Sequence, residues 1–167
     1  MDQRLGWFNA LPTIDAERAL SACCASPSWA RAVAAARPYA DQRALVRTSS
    51  EVLAGLPWSD VAQALAAHPR IGQRAAGTDR DAVWSRREQA GVADSADTAR
   101  VALREVNQAY EDRFGHVFLI FANGRSAAEI LAAARSRLDN DTTTEREVVR
   151  AELTRITELR LTRLVTE

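Results

Sequence analysis

The run Val117-Phe118-Leu119-Ile120-Phe121-Ala122, set between Gly115-His116 and Asn123-Gly124, decides the fold. A short, unbroken apolar segment between turn residues fits either a buried strand or an extended connector. A strand needs a second strand to pair its backbone groups, and no other segment alternates apolar and polar residues in the manner of a half-buried strand. The run therefore reads as a connector and the chain as all-α: a single-domain helical bundle of about eight or nine helices with one short extended segment. Without a sheet to satisfy them, the connector's own N–H and C=O groups are available as recognition edges.

Working outward, a long helix runs from about Ser95 to Phe114 with Val101, Leu103, Val106 and Tyr110 inward, and stops at Gly115. Downstream, Ser126 with Glu129 forms a capping box for a helix through Leu138. A last helix begins near Thr143, with Leu153, Ile156, Leu159 and Leu164 as its stripe and Arg160 beside it. Toward the N-terminus, Leu5, Phe8 and Leu11 open a short element, and Thr13 or Asp15 begins a helix carrying Ala19, Leu20, Cys23 and Cys24. Ser26-Pro27-Ser28 breaks it; Trp29, Val33 and Ala36 line a stripe that Pro38 ends, and Leu45, Val52, Leu53 and Leu56 line the next. Ser59-Asp60 caps the helix that follows, Gln73 to Asp81 reads as a loop, and a helix from Asp81 to Ala90 has Gly91 as its natural stop. Four tryptophans spread through the pattern are most simply core.

A chain of 167 residues, 47% of them apolar, can bury one core without staples. Lys plus Arg equals Asp plus Glu at 22 each, so no net field favours nucleic acid or an anionic membrane surface. All the basic residues are arginine, simplest as coding bias, and lysine Schiff-base chemistry is excluded. Cys23 and Cys24 are adjacent; on a helix their side chains diverge by about 100° and cannot form an ordinary disulfide, so they read as reduced and buried. Two vicinal cysteines and two distant histidines are too few to ligate zinc, and no metal is expected. No apolar run approaches a membrane span, the start lacks a signal pattern, and Val165-Thr166-Glu167 is not a peroxisomal tripeptide. The expectation is a cytoplasmic protein.

Chemistry concentrates in Ala67-His68-Pro69-Arg70-Ile71-Gly72 and Ser85-Arg86-Arg87-Glu88-Gln89-Ala90-Gly91. Ala62, Leu65 and Ala66 make an apolar helical face; Pro69 ends that helix and pushes His68 out of the α region, and Gly72 lets the chain turn away. An imidazole fixed there can act as general acid or base near neutral pH, or simply cap or pack. Ser85 and Glu88 share a helix face with Gln89 at its edge, while Val83, Trp84 and Arg87 fall on other faces. A lone helix carboxylate is usually solvated. If the His68 turn packs beside this face, however, an imidazole, a carboxylate and a hydroxyl converge on a site for a small heterocycle, walled by the connector. His116, just after a helix stop, reads as exposed or capping, with a second catalytic histidine as the alternative. Arg160 can bind an anion bidentately, or form a surface ion pair with Glu152 or Glu158.

Phe8-Asn9, Cys23-Cys24-Ala25-Ser26 with Trp29, Arg37-Pro38, the two stretches above, Asn107 and Tyr110, Phe114-Gly115 with Phe118, and Leu159-Arg160-Leu161 occur in an order that resembles the 2-oxo-4-hydroxy-4-carboxy-5-ureidoimidazoline (OHCU) decarboxylase family over nearly the whole chain. The resemblance implies an all-α domain, commonly a homodimer, that converts OHCU to (S)-allantoin at the end of the route from urate, without metal or cofactor. By position it implies His68 as the catalytic acid/base and Glu88 as its partner. Pro69, Ser85, Arg86, Arg87, Gln89, Arg160 and the backbone of Phe118, Leu119, Ile120, Phe121 and Ala122 would surround the substrate. His116 stands where the family pattern usually has an aromatic residue. Some relatives are fused to a transthyretin-like hydrolase for the preceding step, for which these residues leave no room. A decarboxylase of a related ureido or imidazoline acid, and a non-catalytic binding protein of the same fold, are the alternatives.

Overall fold

Residues 117–122 form neither a helix nor a strand, and all regular structure among the described residues is helical. The computed structural model describes residues 3–73, 77–93 and 95–167. Its helices are α1 (Gln3–Ala10), α2 (Thr13–Ser21), α3 (Pro27–Ala35), α4 (Gln42–Gly55), α5 (Trp58–Leu65), α6 (Arg80–Glu88), α7 (Ala90–Ala93), α8 (Asp97–Phe114), α9 (Ala127–Arg137) and α10 (Thr142–Thr166). The loop expected over 73–81 falls partly on residues 74–76, outside the described residues. By contact the chain divides into two units, Met1–Ala64 with Leu153–Glu167, and Leu65–Glu152.

In the first unit, helix starts are set by side chains that accept otherwise unpaired N–H groups. Ser26 Oγ accepts from Trp29 N at 3.2 Å, and Asp41 Oδ1 from Ala44 N at 2.8 Å. Leu5, Phe8, Ala16, Leu20, Trp29, Val33, Leu45 and Leu53 are buried. Arg37 donates from Nη1 to Phe8 O at 2.9 Å and Leu11 O at 2.8 Å, and from Nε to Ala34 O at 2.9 Å, so one guanidinium closes two helix ends. Asn9 and Tyr39 exchange two hydrogen bonds of 2.9 Å between side-chain amide and backbone. Phe8-Asn9 and Arg37-Pro38 are thus motifs of structure, not of chemistry.

Several expectations are corrected in this unit. Cys23 and Cys24 follow α2 instead of lying on it; both N–H groups return to Leu20 O, at 2.8 and 3.1 Å. Both are buried and neither forms a disulfide; burial pushes the Cys24 thiol up to about 11, so it stays protonated. Ala36 is exposed, since α3 ends before it. The first turn of α5 is closed by the Pro57 carbonyl, which accepts from Asp60 N at 3.0 Å and Val61 N at 3.3 Å, so Ser59-Asp60 is not its cap. Trp7 is 39% exposed and Trp58 half-buried, so of the tryptophans only Trp29 and Trp84 are core.

The second unit is built on α8 packed against α9, with Leu103, Val106, Tyr110, Ile130 and Ala134 buried together with Phe118 and Ile120 of the connector. Val101, expected inward, is exposed, and Asn107 takes the inward position instead. Gly115 ends α8 in the left-handed region at φ 79°, as expected. Gly91 does not stop a helix: α6 ends at Glu88, and α7 runs through Gly91. A Cβ at Gly91 would stand 2.4 Å from the Arg125 carbonyl oxygen, so this glycine is demanded by a close backbone approach beside the end of the connector. Gly91→Ala is expected to destabilise the protein by about 1–3 kcal/mol in urea unfolding, the cost of overpacking a rigid contact. A cost below about 0.5 kcal/mol would mean that α7 shifts freely, against this reading.

Candidate active site

His68 lies in the turn that follows α5, half-buried, with its N–H donated to Leu65 O at 2.9 Å. α5 ends at Leu65, earlier than the proline signal places its end, so His68 sits in a turn beyond the helix; the apolar face of α5 is Val61, Ala64 and Leu65, and Ala66 is exposed. The chain then reverses over Arg70-Ile71-Gly72-Gln73, where Gln73 N donates to Arg70 O at 3.0 Å and Gly72 has φ 88°. A turn of this kind needs a positive φ at its third residue, which glycine supplies without strain.

Three side chains hold that reversal. Asn107 Nδ2 donates to Ile71 O at 2.8 Å. Arg70 Nε and Nη2 donate to the two carboxylate oxygens of Glu111, both at 2.7 Å. Asn107 and Glu111 are four apart and so lie on one face of α8. The third is Gln89, whose Oε1 accepts from Gly72 N at 3.1 Å. This last bond ties the end of the helix that carries Glu88 to the reversal that follows the His68 turn.

α6 starts at Asp79, whose Oδ1 accepts from Ala82 N at 3.1 Å, and Arg86 Nη1 donates to Gly77 O at 2.9 Å. Ser85 is 4% and Glu88 7% exposed. The carboxylate is therefore not the solvated surface group that a lone helix glutamate usually is. Trp84 is also buried and shares the inward face, contrary to the sequence expectation, because the buried stripe includes neighbours in sequence; Val83 and Arg87 do face solvent.

The connector is held by side chains in place of a sheet. Phe121 N donates to Glu152 Oε2 at 2.8 Å, and Leu119 O accepts from Arg137 Nη1 at 2.7 Å. Arg137 Nε and Nη2 also donate to Glu145 Oε1, at 2.8 and 2.5 Å, and Tyr110 OH donates to the same oxygen at 2.5 Å. Asn140 Nδ2 donates to Glu145 Oε2 at 3.0 Å. Burial, and then the bond to Glu145, hold the Tyr110 phenol well above its usual range, so it acts as a donor. The Arg137 guanidinium lies 4.5 Å from the Phe118 ring centre. Among the described residues, neither N–H nor C=O of Ile120, a residue 4% exposed, makes a hydrogen bond within the chain.

His116 joins an aromatic group: its ring is edge-on to Tyr110 at 5.5 Å and stacked on Phe114 at 6.2 Å, with Nδ1 3.0 Å from Val117 O. It occupies an aromatic's place in the packing. His116→Phe is expected to keep kcat and KM within about twofold, and stability within about 1 kcal/mol. A kcat drop beyond tenfold would instead make His116 a second catalytic histidine.

Arg160 belongs to the first unit. It is 2% exposed and lies within the buried stripe of α10, not beside it; Leu159 is only half-buried. The guanidinium is thus not at the surface; Arg160 Nη1 donates to Ala22 O at 3.2 Å.

The OHCU decarboxylase family model matches residues 9–162. The chain belongs to the OHCU decarboxylase family. It is 32% identical over 139 residues to the 2-oxo-4-hydroxy-4-carboxy-5-ureidoimidazoline decarboxylase of Amia calva, covering 81% of this chain and 78% of that one. It is 30% identical over 149 residues to the uric acid degradation bifunctional protein of Arabidopsis thaliana, covering 87% of this chain and 46% of the relative, so it spans about half of that protein's length. A crystal structure of OHCU decarboxylase in the presence of (S)-allantoin superposes with a TM-score of 0.77 at 28% identity, covering 88% of this chain and 96% of the other.

Of the residues expected at the site, all but Arg160 lie in the second unit. Sequence reasoning did not single out Glu111, Arg137 or Glu145, and it named Glu152 only as an ion-pair partner for Arg160. The spacing of Asn107 and Glu111 is a helical-face signal that could have found the first; the Arg137 to Glu145 pairing crosses a turn and leaves no periodic trace.

Proposed function

We propose that this protein decarboxylates OHCU to (S)-allantoin in urate degradation. The observation that carries the reading is the bond from Gly72 N to Gln89 Oε1, because it joins the end of α6, where Glu88 is buried, to the reversal that directly follows His68-Pro69. Loss of the ring carboxylate as carbon dioxide leaves an electron pair that the adjacent C=N unit can accept, so the reaction needs no external electron sink. The nitrogen of that unit takes up a proton, and the carbon that lost the carboxylate is left as an enol. Its hydroxyl then gives up its proton to become the carbonyl of allantoin, while a proton must reach one face of the neighbouring, ureido-bearing carbon. In this reading His68 carries that proton, Glu88 orients and supports the imidazole, and delivery from one side gives one enantiomer. Ser85, Gln89, Pro69, Arg86, Arg87 and the backbone of residues 118–122 bind the substrate, and Arg160 supplies a cationic group for an anionic ligand. The reading extends to a cofactor-independent homodimer working in the cytoplasm, supported by the family resemblance and the buried, reduced cysteine pair.

The test is circular dichroism of the allantoin region, with OHCU generated from urate by uricase and the hydrolase of the preceding step. Rapid appearance of the (S)-allantoin signal on adding this protein is expected. A time course identical to the spontaneous one would overturn the reading in favour of a binding protein.

A further inference from the structure

We propose that Arg137 and Glu152 are positioning residues that direct the backbone N–H and C=O of Ile120 away from themselves, as a donor and an acceptor for the substrate. This rests on the functional reading above, in which the connector faces the ligand. A trans peptide unit is planar, with its C=O and N–H pointing in opposite directions. The peptide joining Leu119 to Ile120 has its oxygen fixed on Arg137 Nη1 at 2.7 Å, so the Ile120 N–H points away from Arg137. The peptide joining Ile120 to Phe121 has its N–H fixed on Glu152 Oε2 at 2.8 Å, so the Ile120 C=O points away from Glu152.

Ile120 therefore offers one donor and one acceptor, and neither has a partner among the described residues although the residue is buried. Buried backbone groups are rarely left unmatched. The complement of a donor and an acceptor on one residue is a ring or ureido unit with N–H next to C=O. Arg137 suits the task because its planar fork reaches Glu145 and Leu119 O at once, and contact with the Phe118 ring fixes its plane. A lysine has one ammonium and cannot hold both partners in that geometry.

The experiment is steady-state kinetics on Arg137→Lys, Glu152→Ala and Glu152→Gln, with amide hydrogen exchange of peptides covering 118–122. Arg137→Lys and Glu152→Ala are expected to raise KM about tenfold, the effect of one misplaced hydrogen bond, with kcat within about threefold. Glu152→Gln, which keeps an acceptor oxygen, restores KM to within about twofold. Exchange over 118–122 rises in the first two variants and not in the third. A purely structural role would lower kcat with the active fraction and leave KM unchanged, and that result overturns the proposal. If Arg137→Lys does not fold, the Glu152 pair decides alone. Unchanged exchange in Glu152→Ala overturns the positioning role whatever the activity, whereas an unmodified protein without decarboxylation overturns the functional reading itself.

Discussion

His68→Ala is expected to reduce kcat for OHCU decarboxylation by about 10²–10⁴-fold, the usual contribution of a placed general acid or base. Residual product should lose its enantiomeric excess, because protonation then comes from solvent on either face. The substitution removes a half-buried ring from a turn whose geometry is fixed elsewhere, by Asn107 on Ile71, Glu111 on Arg70 and Gln89 on Gly72. Far-UV circular dichroism and the unfolding midpoint should therefore stay close to those of the unmodified protein. A variant with full rate and full stereochemical excess would remove His68 from the chemistry, and the residue would revert to a packing role.

Glu145→Ala should have the largest effect on stability. Glu145 is fully buried, its Oε1 accepts from Tyr110 and twice from Arg137, and Asn140 binds its other oxygen. Removing it leaves the nearly buried Arg137 guanidinium without its counter-charge and the Tyr110 hydroxyl without its acceptor. Breaking a buried pair from one side costs about 3–5 kcal/mol, far more than the intact pair contributes relative to an apolar replacement. Urea unfolding measures it. A loss under about 1 kcal/mol would show that water or a rearranged side chain takes over the role of Glu145. Because the same network holds Leu119 O, the folded fraction of the variant should also bind substrate more weakly.

The helices were largely legible, because apolar periodicity, capping serines and helix-ending glycine or proline act over a few residues. Ser126 before α9 and Gly115 after α8 work locally, and both appear where the sequence places them. Some errors are helix ends that fall a few residues early, as in α2, α3 and α5; others fall where a distant partner overrules the local signal. Gly91 reads as a stop but is required by the Arg125 carbonyl. Val101 fits the stripe of α8 but is exposed, while polar Asn107 is buried because Ile71 offers it a carbonyl.

The residues of the site were legible only as a set. His68 on its turn and Ser85 with Glu88 on one helix face follow from proline geometry and helical spacing. That the face is buried, and that Gln89 fastens it to the reversal that follows the His68 turn, depends on the burial and pairing of residues far apart in the chain.

The sequence by itself determined the all-α architecture, since a single apolar run without an alternating partner cannot make a sheet, and it determined the family through the order of its motifs. Tertiary structure alone decided how that run is held. Its hydrogen bonds go to Arg137 and Glu152, which stand 18 and 31 residues away, and no periodicity along a chain records a contact made only when the chain folds back on itself.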